Sequence, residues 1–272
     1  SRKKTRDSWL SPSRKTPTEQ PSLTQRMSPD VPANRNFKPV MENGRPRSPK
    51  IYREYMDVLV RPNGKMLYIV AAQLDYLYRN NGDGTFTDVS REALGEAAGG
   101  NYFGLSVRWW DFNHDGWLDI YVANDYYGPD QLLRNNGDGT FTEVAQEVLP
   151  HTPWFSMGTD AADINNDGLM DFLATDMSAT THFKSKLNMG DMEKDAWFLD
   201  AAEPRQYMRN ALYINTGANR FMEAASLAGI SSTDWTWAVK FGDLDNDGLV
   251  DLFCSNGMTR NWFNSDLRRS SS

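Results

Sequence analysis

Asp111-Phe112-Asn113-His114-Asp115-Gly116-Trp117-Leu118-Asp119 places oxygen-bearing side chains at its first, third, fifth and ninth positions. The spacing returns in Asp163-Ile164-Asn165-Asn166-Asp167-Gly168-Leu169-Met170-Asp171 and in Asp243-Leu244-Asp245-Asn246-Asp247-Gly248-Leu249-Val250-Asp251. Side chains at alternate positions of a tight loop can converge on one point, and a glycine at the sixth position permits the sharp turn. Hard cations such as Ca2+ take about six to eight oxygen ligands, largely carboxylates and carbonyls. The shared pattern D-x-[ND]-x-D-G-x-x-D therefore reads as three calcium loops. One copy would read equally well as an acidic β-turn that binds nothing; three with identical spacing favour the metal. An EF-hand does not fit, because its twelfth position needs a bidentate Glu. Here those positions hold Val122, Ala174 and Cys254. The flanks are also strand-like, as in Ile120-Tyr121-Val122, Phe172-Leu173 and Leu252-Phe253.

The elements that must position these loops repeat as well. Leu77 to Val89 and Leu132 to Val144 share the pattern L-x-R-N-N-G-D-G-T-F-T-[DE]-V, and Leu212 to Glu223 is a looser copy. Asn-Gly and Asp-Gly between alternating strands signal hairpins, because these residues tolerate positive φ. A phosphate-loop reading of G-D-G fails, since neither a helix nor a P-loop lysine follows. Phe103, Phe155 and Trp235 each sit eight residues before the first Asp, and Ser106, Gly158 and Ala238 five before it. This large-then-small rhythm suits an inner strand in a tapering core.

Each unit thus reads strand, calcium loop, strand, strand, G-D-G hairpin, strand, which is the anatomy of a propeller blade. The expected fold is all-β, a partial β-propeller of about three and a half four-stranded antiparallel blades. Residues 102–145 form one blade, 154–225 another with an insertion at 178–206, and 235–266 an incomplete one. Residues 57–90 form a degenerate blade. Aligning Gly64 with Gly116 puts Leu59, Arg61, Asn63 and Leu67 at the ligand positions, so no metal is expected there. The insertion mixes Phe183, Leu187, Trp197 and Phe198 with charges, which predicts a partly helical segment over one rim.

The net charge of −7 hides a split: residues 1–65 carry 15 Lys and Arg against 6 Asp and Glu. Residues 1–56 are basic and rich in Pro and Ser. Such a composition buries too little apolar surface to offset chain entropy and is expected to be disordered. It could also act as a basic arm for nucleic acid. It lacks interleaved aromatics, so nucleic acid is not the expected partner. The acidic remainder suits several cation sites. Cys254, the single cysteine, falls inside an apolar strand pattern and reads as a buried thiol. No apolar run reaches membrane-spanning length; the longest is Met66–Ala72. The basic start has no apolar stretch behind it, so no signal peptide is read in this chain. His114, His151 and His182 fall at unrelated places in the repeat and suggest no catalytic or zinc cluster.

The calcium loop followed by L-Y-x-N-x-G-x-x-x-F resembles the FG-GAP/VCBS repeats, the blades of integrin α-chain propellers and of many bacterial surface proteins. Asp119-Ile-Tyr-Val-Ala-Asn-Asp125, Gln206-Tyr-Met-Arg-Asn210, Ala228-Gly-Ile230, Asp234-Trp-Thr-Trp237 and Asn256-Gly-Met-Thr-Arg260 resemble most the subgroup of cartilage acidic protein 1, or ASPIC/UnbV. The resemblance implies a calcium-binding propeller, extracellular or at the cell surface, that binds a protein or glycan without catalysis. It implies side-chain ligands Asp111, Asn113, Asp115 and Asp119; Asp163, Asn165, Asp167 and Asp171; and Asp243, Asp245, Asp247 and Asp251. The backbone carbonyls of Trp117, Leu169 and Leu249 complete three Ca2+ sites. Family propellers close with about seven blades, so further blades or a second chain are expected to complete the ring. Some propellers carry lyase or glycosidase sites at the central channel, which makes a carbohydrate-active enzyme the alternative.

Overall fold

The computed structural model describes residues 38–42, 45–50, 56–60, 63–70, 74–98, 103–126, 128–188, 199 and 202–257. Most of the basic segment expected to be disordered, and the last residues of the incomplete blade, lie outside these. Within 1–56 a short hairpin is described, β1 (Val40–Glu42) against β2 (Arg45–Arg47).

Two further hairpins follow, β3 (Met56–Val60) with β4 (Met66–Val70) and β5 (Tyr78–Asn80) with β6 (Phe86–Asp88). They cover the expected degenerate blade as two separate two-stranded sheets. A short helix α1 (Ser90–Leu94) and a 3-10 turn (Gly95–Ala98) come next.

The first complete blade comprises β7 (Phe103–Trp110), β8 (Asp119–Asp125), β9 (Gln131–Asn135) and β10 (Phe141–Glu143), antiparallel in that order. Helix α2 (Ala145–Val148) and strand β11 (Thr152–Pro153) lead to the second blade. Its strands are β12 (Ser156–Ala162) and β13 (Asp171–Ser178), then β15 (Ala211–Asn215) and β16 (Phe221–Glu223). Between β13 and β15 the insertion is partly helical, as expected. It holds α3 (His182–Asn188) and β14 (Gln206–Tyr207), which pairs in parallel with β11. The last pair is β17 (Asp234–Gly242) with β18 (Asp251–Asn256), joined to β13 at Met177–Trp235 and Ser178–Asp234. The fold is therefore mostly β, with antiparallel blades and no closed ring among the described residues, a partial propeller.

The inner strands β7, β12 and β17 lie side by side, and their pleat decides what each residue meets. Past the bulge in each inner strand, even positions face the next blade. Trp110 packs 4.9 Å from the Phe172 ring, and a Cβ at Gly158 would lie 2.7 Å from the Ala238 Cα. No side chain fits there, which accounts for the small residue at that place in the rhythm. Odd positions face the preceding blade: Ala161 and Val239 are buried in this way. The equivalent positions on β7, Leu105, Val107 and Trp109, are exposed. Asp160 ties three inner strands together. Its Oδ1 lies 3.0 Å from Arg108 and 3.2 Å from Lys240, and its Oδ2 accepts the Phe241 N–H at 3.0 Å.

The main core fills the space between the two complete blades. Phe172 is fully buried there, with ring centroids of Tyr213 at 4.3 Å, Tyr121 at 4.8 Å and Phe221 at 5.0 Å. Helix α2 contributes Ala145 and Val148 to the same core. The alternation of the strands gives no hint of this helix. The acid ending the outer strand does signal a turn, because Glu143 accepts the Ala145 N–H at 2.8 Å. Asp88 caps Ser90 and Glu223 caps Ala225 in the same way.

Candidate metal centre

All three acidic loops join the inner strand of a blade to its second strand, β7 to β8, β12 to β13 and β17 to β18. Their backbones repeat. The sixth-position glycines Gly116, Gly168 and Gly248 have φ of 88°, 86° and 84°. The fourth positions, His114, Asn166 and Asn246, have φ of 60°, 57° and 60°. Two left-handed residues in three fold the chain back on itself.

The first-position carboxylate accepts two amides across this turn. In the first loop Asp111 Oδ1 accepts the Asp115 N–H at 3.1 Å and Oδ2 the Gly116 N–H at 2.8 Å. Asp163 does the same at 3.1 and 2.9 Å, and Asp243 at 3.2 and 3.0 Å. The third-position oxygen of Asn113, Asn165 or Asp245 accepts the fifth-position N–H. The fifth-position carboxylate accepts the seventh N–H in each loop. The first, third and fifth side chains are thereby folded over one turn. In the third loop, ligand atoms of Asp243, Asp245 and Asp247 all lie within 4.8 Å of one another. It is the one such cluster among the described residues. The first two loops carry Asn at the third position, a neutral oxygen in the same place. This donor set, carboxylate and amide oxygens on an exposed turn, fits a hard cation.

The ninth-position Asp stands apart from that trio. Asp119 is fully buried, and both its oxygens accept backbone amides: Phe112 N–H at 3.0 Å and Asn135 N–H at 2.8 Å. Asp171 repeats this with Ile164 at 3.1 Å and Asn215 at 2.8 Å, and Asp251 accepts Leu244 at 2.9 Å. Burial, with Asp115 and Asp111 nearby, pushes the Asp119 carboxyl up to about 6. Burial raises Asp171 as well. The ninth Asp thus clasps the loop to the third strand, a role the spacing alone does not reveal. Its partners, Asn135 and Asn215, are the fixed asparagines of the hairpin pattern. The backbone carbonyls of Trp117, Leu169 and Leu249 belong to the same turns.

The opposite rim holds buried carboxylates that the sequence reading passed over. Asp130 accepts the Tyr121 hydroxyl, the Ser156 hydroxyl at 2.8 Å and the Asn124 N–H at 2.8 Å. Asp176 accepts the Trp154 and Phe155 N–H groups at 2.7 and 3.1 Å. Desolvation pushes both up to about 7. His151 sits with Glu223 at 3.2 Å and Arg209 at 3.1 Å, so it anchors the end of the insertion.

A raised carboxyl favours folding while it is protonated. Its contribution is complete below about pH 4, where the unfolded group is also protonated, and is lost as the pH rises through about 7. Asp176→Asn keeps an oxygen for the two amides and removes the buried charge. In chelator at pH 8 it is expected to stabilise the chain by about 2–4 kcal/mol, and to make little difference at pH 4.5. Urea unfolding at the two pH values checks this. Destabilisation at pH 8 would show that the carboxylate charge itself is needed.

Fold and loops together define a class: blade-repeat proteins of the propeller type, with an acidic turn at the same corner of successive blades. The chain belongs to the FG-GAP-like repeat family, which matches residues 54–122, 111–174 and 189–254. Such repeats are seen in extracellular and adhesion-type propeller proteins and are typically non-catalytic. No curated protein matches the chain.

Proposed function

We propose that this chain is a calcium-binding propeller module that acts as a non-catalytic binding or adhesion scaffold outside the cell or at its surface. The observation that carries the reading is the threefold recurrence of one turn. In each copy the first, third and fifth oxygens are folded together by the same hydrogen bonds. Asp111, Asn113 and Asp115, Asp163, Asn165 and Asp167, and Asp243, Asp245 and Asp247 would hold three ions. The carbonyls of Trp117, Leu169 and Leu249 and the ninth-position Asp residues would complete the ligand sets. Calcium would neutralise the clustered carboxylates and fix the corner between two strands.

The scaffold reading is also supported by how the polar groups are used. His114 fills a left-handed slot of a loop, and His151 is held by Glu223 and Arg209. The motifs quoted above resemble most those of the ASPIC/UnbV subgroup, and the reading takes the chain as one of that kind. A protein or glycan is the partner class this reading expects. The test is calorimetric titration of the chelator-stripped full chain with calcium. Three ions per chain are expected, falling to two in Asp247→Asn. No uptake at millimolar calcium would remove the metal from the reading.

A further inference from the structure

We infer that the first two acidic loops bind their ions as a coupled pair, with Asn215 as the link. This rests on the calcium reading above and concerns how its sites communicate. Asn215 is 5% exposed and ends β15. Its backbone N–H donates to Asp171 Oδ1 of the second loop at 2.8 Å, and its side-chain amide donates to Met170 O at 3.3 Å. The same amide nitrogen also crosses to the neighbouring blade and donates to Phe112 O of the first loop at 2.9 Å. That carbonyl belongs to the peptide unit preceding Asn113, the third-position oxygen of the first loop.

The repeat supplies its own control. Asn135 makes the equivalent bonds inside its blade, N–H to Asp119 at 2.8 Å and amide to Leu118 O at 3.0 Å. Its described hydrogen bonds all stay within that blade. A hydrogen-bonded chain, buried from Asp171 onward, therefore runs from Ile164 N–H through Asp171 and Asn215 to the Phe112–Asn113 peptide. Ordering the second loop around an ion fixes Asp171, hence Asn215, hence the peptide that presents Asn113. The first ion then meets a loop whose ordering cost is already met. The effect is reciprocal, because coupling between two binding equilibria must be.

The test is competition titration of calcium on the full chain against a chromophoric chelator. The wild type is expected to bind three ions, two of them with about tenfold positive coupling. Asn135→Ala should weaken the first site while the coupling persists. Asn215→Ala should abolish the coupling while three ions still bind. Asp167→Asn, which leaves Asn215 intact, should weaken the ion of the first loop about tenfold by emptying its neighbour. Three independent sites in the wild type, or coupling that survives Asn215→Ala, would overturn the inference and leave the metal reading standing. No calcium uptake by the wild type would overturn both.

Discussion

In millimolar calcium the full chain is expected to unfold far above its midpoint in chelator. An ion that binds only the native state contributes RT ln(1 + [L]/Kd), about 2.7 kcal/mol per site at a hundredfold excess over Kd. Three sites give about 8 kcal/mol. At roughly 2–4 °C per kcal/mol for a domain of this size, the shift is on the order of 15–30 °C. The structural reason is the crowding of charge. The third loop alone gathers Asp243, Asp245 and Asp247 within 4.8 Å. With no cation these carboxylates repel, and only the amides of the turn offset them. Calcium should outperform magnesium, which keeps its waters and demands a stricter octahedron. Thermal unfolding with calcium, magnesium and chelator decides the matter. Coincident transitions in all three would sink the structural-ion reading while leaving the propeller fold untouched.

The second large effect lies in the core. Phe172→Ala should cost about 3–5 kcal/mol, the range for truncating a buried aromatic. Phe172 is fully buried, and four aromatic rings, those of Trp110, Tyr121, Tyr213 and Phe221, lie within 5.0 Å of it, centroid to centroid. Two of these come from the preceding blade and two from its own. Removing the ring therefore opens a cavity at the seam between blades, where neither side can collapse alone. Phe253→Ala is the comparison, since that ring is 64% exposed on β18. Its cost should stay under about 1 kcal/mol. Urea midpoints for the two variants measure both. Equal, small losses would mean that the two blades do not share one cooperative core.

The loops were legible in the sequence because their chemistry is local. Nine residues contain the turn, its left-handed positions and its oxygens, and the pattern recurs. The inner-strand rhythm was legible for a similar reason, since period-two alternation and a small residue at Gly158 report the same crowding. What the sequence did not disclose depends on partners distant in the chain. The second role of Asp119 and Asp171, clasping the third strand, shows only once Asn135 and Asn215 arrive from that strand. Asp130 and Asp176 look like surface acids until folding buries them under Tyr121, Ser156 and Trp154. Helix α2 escaped because four residues show no helical period; only the capping acid Glu143 marks it.

The fourth slot of each acidic loop has a consequence for how such a repeat can vary. His114, Asn166 and Asn246 are not among the ligand positions, yet all three adopt a left-handed backbone. Asparagine visits that region readily, while a β-branched side chain there is severely strained. Drift at this slot is therefore filtered by backbone sterics, not by affinity for any ion. A loop could lose its cation in evolution and still keep Asn, Asp or Gly at the fourth position, so the shape of the corner can outlive its chemistry.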